Sequence, residues 1–250
     1  MLEGKAIWLT RPAGQADNLT SSLEDKKIKI SLLPMLAIEP LAVDETIKAK
    51  ILDLDQFDLL FFISTNAASL GMTLIQDYWP QFPVQLSVYA AGPSTAAVLE
   101  SFDVAAEYPT DLMSSEALLA LESLSEINNK KALIVRGVNG RELLAESLSS
   151  RGAGVDYMEI YRRVCPDYGL GALKQIYTST SPDAVVVSSA QALTNFSALL
   201  NRDGLTPAAM TLYVSSSRLA DIAAEQGFKQ TITMSGADDK AIIECIEEYL

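Results

Sequence analysis

The 250-residue sequence contains no histidine. That removes imidazole general bases, histidine metal ligands and Ser-His triads together. Cysteine is nearly as scarce. Cys165 and Cys245 are too few for a disulfide framework and form no metal-binding cluster, so they read as buried or idle thiols of a cytoplasmic protein. No apolar run reaches the roughly 18 residues that cross a bilayer. A strand-like run begins at Ile7, which argues against reading the start "MLEGKAIWLT" as a signal peptide. Basic residues are outnumbered: 19 Lys and Arg face 32 Asp and Glu, a net charge of −13. Nucleic acid and anionic membrane are therefore poor partners. Any chemistry must come from Tyr, Ser, Thr, Arg, Lys, carboxylates or backbone amides.

Hydrophobic residues are plentiful at 49%, enough for a substantial core. The scarce positive charge is concentrated. From Lys130 to Arg163 there are seven basic residues against four acids, and "LIVRGVNGRELL", Leu133 to Leu144, lies inside that segment. An apolar run stops at Arg136, glycines follow at Gly137 and Gly140, and a helix-like pattern begins. Loops of this kind hold anions at helix N-termini. This one has neither the dinucleotide glycine spacing nor the lysine of a phosphate loop, which places a nucleotide-dependent enzyme last among the possible functions.

The chain also repeats itself at an offset of about 125. Arg11 falls on Arg136, Leu19 on Leu144, Ser22 on Ser147, Leu23 on Leu148, Ser64 on Ser189 and Ala67 on Ala192. At offset 124, Tyr89 falls on Tyr213 and Ala96 on Ala220. Each repeated unit opens with a short apolar run: Ile7 to Leu9, Leu59 to Ile63, Val88 to Ala91, Leu133 to Val135, Val185 to Val187 and Thr211 to Val214. Such runs suit parallel strands covered on both faces. A polar or glycine turn and an Ala/Leu-rich helix follow each. The expectation is an α/β fold of two similar doubly wound, parallel-sheet domains. The segments Leu33 to Pro40 and Met158 to Cys165 are extended and equivalent under the same offset. A tandem cut near residue 126 would leave each inside a domain. Alternatively, both run between domains and the first unit joins the C-terminal half.

In parallel sheets, ligands sit beyond the carboxyl ends of strands. The loops there carry Thr10 and Arg11; Ser64, Asn66 and Ala67; Gly92, Ser94 and Thr95; Arg136, Gly137, Gly140 and Arg141; Ser188 and Ser189; and Ser216, Ser217 and Arg218. Singly, each loop reads as a helix cap. Arg136 and Arg141 also suit ion pairs with Glu142 or Glu146. Jointly, six such loops on two facing domains would line a cleft with amide and hydroxyl donors, suited to a ligand with several carboxylates or phosphates.

The stretches "WLTRPAGQADNL", "LLPMLAIEPL", "DLLFFISTNA", "AAGPSTAAVL", "IVRGVNGRELLAESLSSRGAGVDYMEIYRR" and "VSSSRLADIAAEQGF" resemble the uroporphyrinogen-III synthase family over nearly the whole chain. The second copy, "VSSSRLADI", lacks a counterpart of Thr95; Ser216, Ser217 and Arg218 stand in its place. The resemblance implies the exchanged arrangement: residues 1–35 with 166–250 as one domain, 41–157 as the other, and 36–40 with 158–165 as a two-stranded connector. It implies a cofactor-free, metal-free, cytoplasmic monomer, touching neighbouring pathway enzymes at most transiently. The implied reaction is cyclisation of hydroxymethylbilane, a linear tetrapyrrole with eight carboxylates, to the isomer with ring D inverted. Tyr161, in "EIYRRV", matches the family's tyrosine and is the implied catalytic phenol. The competing reading is a non-catalytic two-lobed protein that binds a polycarboxylate.

Overall fold

The computed structural model describes residues 2–110 and 115–250. Along them run β1 (Ala6–Leu9), α1 (Asp17–Glu24), β2 (Lys29–Leu32), β3 (Ala37–Pro40), α2 (Glu45–Leu52), β4 (Leu59–Phe62), α3 (Thr65–Gln76), β5 (Ser87–Ala90), α4 (Pro93–Glu100), α5 (Ser115–Leu119), β6 (Lys131–Gly137), α6 (Leu143–Ser150), β7 (Gly154–Val164), α7 (Ala172–Thr180), β8 (Ala184–Val187), α8 (Ala190–Arg202), β9 (Thr211–Val214), α9 (Ser217–Glu225), β10 (Gln230–Thr233) and α10 (Asp239–Tyr249). This is the expected α/β class. One sheet has the order β10-β9-β8-β1-β2, the other β3-β7-β6-β4-β5. All four pairings of the first sheet are parallel, as are β7–β6, β6–β4 and β4–β5 of the second. Among the described residues no helix is long and apolar enough to cross a membrane.

The chain forms two compact units, Met1–Ala37 with Val164–Leu250, and Ile38–Arg163. In the first, β1 and β8 are buried at every position because helices cover both faces. Trp8, Val185, Val187 and Leu212 pack on Leu193 and Phe196 of α8 and Leu219 of α9. Ile7, Leu9, Val186 and Tyr213 pack on Leu19 and Leu23 of α1 and Ile242 and Ile246 of α10. The second unit is built alike. Leu60, Phe62, Leu133 and Val135 face α2, α3 and α4; Phe61, Ala132 and Ile134 face α5 and α6. Burial on both faces is why these strands read as unbroken apolar runs rather than alternating ones.

The segments expected as inter-domain connectors, 36–40 and 158–165, carry the crossings between the two units and also take part in the second sheet. β3 and β7 are neighbours in it, and β7 runs eleven residues without a break. Its main chain stays bonded as far as Tyr161, with Leu41 N donating to Ile160 O and Val138 N to Tyr161 O, both at 2.9 Å. Met158, Ile160 and Tyr161 lie in the core. A free connector would leave those polar groups and side chains uncovered.

Sheet order also locates the ligand-binding ends. The unit β1–α1–β2 winds one way and β8–α8–β9 the other, so winding reverses between adjacent β1 and β8. In the second sheet it reverses between β6 and β4. Crevices beyond the carboxyl ends of such strand pairs are where parallel sheets bind ligands.

One buried carboxylate anchors the first unit. Asp203 accepts Gly171 N at 3.1 Å, Leu173 N at 2.9 Å and Arg202 Nε at 2.9 Å, closing the entry to α7. The Arg202 bond, with the two amides, pulls its carboxyl down to about 2.

Candidate functional site

In the second unit the reversal point gathers three of the sequence-selected residues. Ser64 is the N-cap of α3, its Oγ accepting Ala67 N at 3.0 Å. Tyr161 Oη lies 3.0 Å from the same Ser64 Oγ. Gly137 lies beneath the ring, where a Cβ would stand 2.5 Å from Tyr161 Cε2.

A bulge brings Tyr161 there. Arg136 pairs with Glu159, but Gly137 pairs with Tyr161, so Ile160 is an extra residue. Consecutive Ile160 and Tyr161 both enter the core as a result, which strict alternation forbids. Re-aiming a side chain beside a site is a known use of a bulge. Tyr161, the implied catalytic phenol, is 2% exposed.

The expectation for Arg136 is corrected. It is 6% exposed. Its guanidinium reaches Glu142 at 2.9 Å and Glu159 at 3.0 Å, lies 3.8 Å from the centre of the Tyr157 ring, and donates to Arg141 O at 3.4 Å. Burial opposes its charge, but the bonds from Glu142 and Glu159 outweigh that and raise its pKa. Tyr157 completes the cluster by donating to Glu142 Oε2. Burial, then that bond, pushes the Tyr157 phenol up to about 12. Arg136 is thus a cinch across its own loop rather than an open receptor for a ligand's carboxylate. Glu142 was visible in sequence as a partner. Glu159 and Tyr157 were not, because their approach depends on strand register.

The glycines of this loop serve those side chains. Neither Gly137 nor Gly140 has a left-handed backbone; Asn139 does, at φ 60°, and asparagine tolerates it. Gly137 makes room for Tyr161, and a Cβ on Gly140 would meet Arg136 Cδ at 3.3 Å. Asn66 stands in the first turn of α3. Gly92, Ser94 and Thr95, at the start of α4, share a hollow of about 250 Å³ with Ile63 and Thr65.

In the first unit several selected residues have structural partners. Thr10 is 1% exposed and donates from Oγ1 to Val186 O at 2.8 Å, tying β1 to β8. Its hydroxyl is not open to a ligand. Arg11 pairs with Asp239 and donates to Ala237 O, at the start of α10. Ser189 and Ser216 cap α8 and α9 through Ala192 N and Leu219 N. Ser188 O accepts from Ser215 Oγ. Ser217 and Arg218 open α9 and are exposed. Of the four site arginines, Arg11 and Arg136 are paired. Arg141 and Arg218 are exposed and, among the described residues, have no ion pair.

The second unit offers hydroxyls, the leading amides of α3 and the exposed Arg141; the first, by itself, offers the leading amides of α8 and α9 and the exposed Arg218. These are donors, suited to acceptor-rich ligands. Residues 17–244 match the family model described as uroporphyrinogen-III synthase HemD. The uroporphyrinogen-III synthase of Salmonella typhimurium is 30% identical, over 97% of this chain and 100% of that protein. The Escherichia coli protein of the same name is 29% identical with the same coverage. Among solved structures, a mutant uroporphyrinogen III synthase from Thermus thermophilus superposes with a TM-score of 0.60 at 16% identity, covering 98% of this chain and 100% of that one. The Helicobacter pylori enzyme gives 0.59 at 16% identity, with 98% and 100% covered. At that identity the structures establish the fold.

Proposed function

The chain belongs to the uroporphyrinogen-III synthase family, and from that footing we propose that it closes hydroxymethylbilane to uroporphyrinogen III in tetrapyrrole biosynthesis, as a cyclising lyase, monomeric and cytoplasmic. The observation that carries this is the set of donors at strand ends of the second unit around Ser64 and Tyr161, with Arg141 of the same unit exposed.

The chemistry makes modest demands on side chains. Hydroxide leaves the ring A carbinol and takes up a proton as water. Ring D attacks through its substituted carbon to give a spiro intermediate, which opens and recloses with ring D inverted. The pyrrole nitrogens supply the electrons. The protein must hold one chain geometry and withhold direct closure to the symmetric isomer, an orientation effect. We assign Tyr161 to assisting departure of the hydroxyl through hydrogen bonding. Arg141, Arg218 and the leading amides of the capped helices are assigned to the carboxylates.

We also read the two units as copies of one domain. What supports this is strand order: under the 125-residue offset, β9-β8-β1-β2 corresponds to β5-β4-β6-β7.

The test supplies hydroxymethylbilane with and without metal-stripped protein, then oxidises and separates the porphyrins. Type III product with protein, and type I without, is the expected result. Type I in both, from folded protein, would leave a binding protein.

A further inference from the structure

Either hydroxyl of the Tyr161–Ser64 pair can donate, and two observations favour the phenol as donor. Tyr161 is 2% exposed within the core of the second unit, and Ser64 is its hydroxyl's partner among the described residues. A buried O–H without an acceptor is costly, so the phenol donates to Ser64. Ser64 Oγ also accepts Ala67 N–H at 3.0 Å. A serine hydroxyl has two acceptor positions and one hydrogen. Protein donors fill both acceptor positions. The remaining capacity of Ser64 is to donate its own hydrogen, and Ser64 is only half-buried.

We propose that Ser64 is the hydroxyl that meets the substrate, and that Tyr161 acts through it as a positioning residue. The phenol and the Ala67 amide together hold the Ser64 hydrogen outward, toward an oxygen of the linear tetrapyrrole. No covalent step is involved; the effect is a hydrogen bond delivered in one orientation. This rests on the assignment of Tyr161 to the reaction. It assigns Ser64 a role beyond helix capping. The first unit has no equivalent pair: the offset sets Ser189 on Ser64 but Leu36 on Tyr161.

The test is a double-mutant cycle in the full-length protein, read as kcat at saturating substrate, KM and the ratio of type III to type I product. Ser64→Gly removes the hydroxyl while leaving a tolerated N-cap residue. It is expected to lower kcat about tenfold, the scale of one lost transition-state hydrogen bond. Tyr161→Phe is expected to cost roughly threefold, since it loosens a donor without deleting it. The double variant should be no slower than Ser64→Gly alone. Ser64→Asp provides a second route, because its carboxylate caps the helix and accepts from Tyr161 but has no hydrogen to give. It should lose kcat like Ser64→Gly while keeping the wild-type thermal midpoint, and Ser64→Thr should recover most of the rate.

If Tyr161→Phe costs tenfold or more while Ser64→Gly and Ser64→Asp stay within about twofold, the relay is overturned and Tyr161 meets the substrate itself. If the double variant loses the product of the single effects, the two act independently and the relay is likewise overturned. If no variant changes kcat, both this inference and the assignment of Tyr161 fall, while type III product would keep the synthase reading intact.

Discussion

The ring of Tyr161 rests on Gly137 so closely that a Cβ there would lie 2.5 Å from Cε2 and 2.7 Å from Cζ. A rigid ring in a packed core has little room to yield. Gly137→Ala is therefore expected to displace the phenol from Ser64. It should lower the thermal midpoint, by about 1–3 kcal/mol of overpacking, and slow turnover at least as much as Tyr161→Phe. Wild-type turnover with an unchanged midpoint would show that Tyr161 has no fixed position to lose.

Arg136 now carries a stability prediction. Its guanidinium is buried, while Glu142 and Glu159 are 52% and 33% exposed and regain water if it is removed. Arg136→Ala should destabilise the protein by about 2 kcal/mol, less than a fully enclosed pair would cost. Urea unfolding measures this. An unchanged midpoint with weakened substrate binding would return Arg136 to the role of carboxylate receptor.

The converse applies to the two exposed site arginines. Arg141→Ala and Arg218→Ala should each raise KM roughly tenfold, the scale of one lost charge-assisted bond, with the thermal midpoint held. A fall in midpoint without a change in KM would mark them as structural.

Asp203 sets an acid-side dependence. Its carboxyl titrates at about 2 when folded and near the usual 3.9 when unfolded. Its contribution is therefore present above about pH 4 and is lost as pH falls through about 2. The thermal midpoint of Asp203→Asn should lie below wild type at neutral pH, and the gap should narrow between pH 4 and 2. A gap that stays constant over that range would remove Asp203 from the acid response.

Much of the fold was legible because parallel strands covered on both faces leave unbroken apolar runs. "AVVV" at β8 and "LLFF" at β4 announce themselves. β10, "QTIT", is polar at its ends and half-buried between, so it has no such run. The family resemblance was legible as well, and the match over residues 17–244 bears it out. Contacts set by register were not. Glu159 reaches Arg136 from the paired position on the neighbouring strand, and Tyr161 reaches Ser64 because one bulge shifts the pairing at Gly137. Nothing local in "MEIYRR" encodes that shift. Thr10 likewise reads as a loop hydroxyl until β8 is placed beside it.

The pairing of β1 with β8 has a consequence in time. Ala6 and Asp183, joined at 2.8 Å, are 177 residues apart. At the usual speed of a ribosome, β8 emerges about 10–35 s after β1. The second unit, Ile38–Arg163, is contiguous and is complete within that interval. Ile7, Trp8, Leu9, Leu19 and Leu23, all fully enclosed in the finished molecule, must wait with no sheet to join. The β1–α1 segment is thus among the last to fold, and a nascent molecule is most in need of a chaperone while that segment waits for β8.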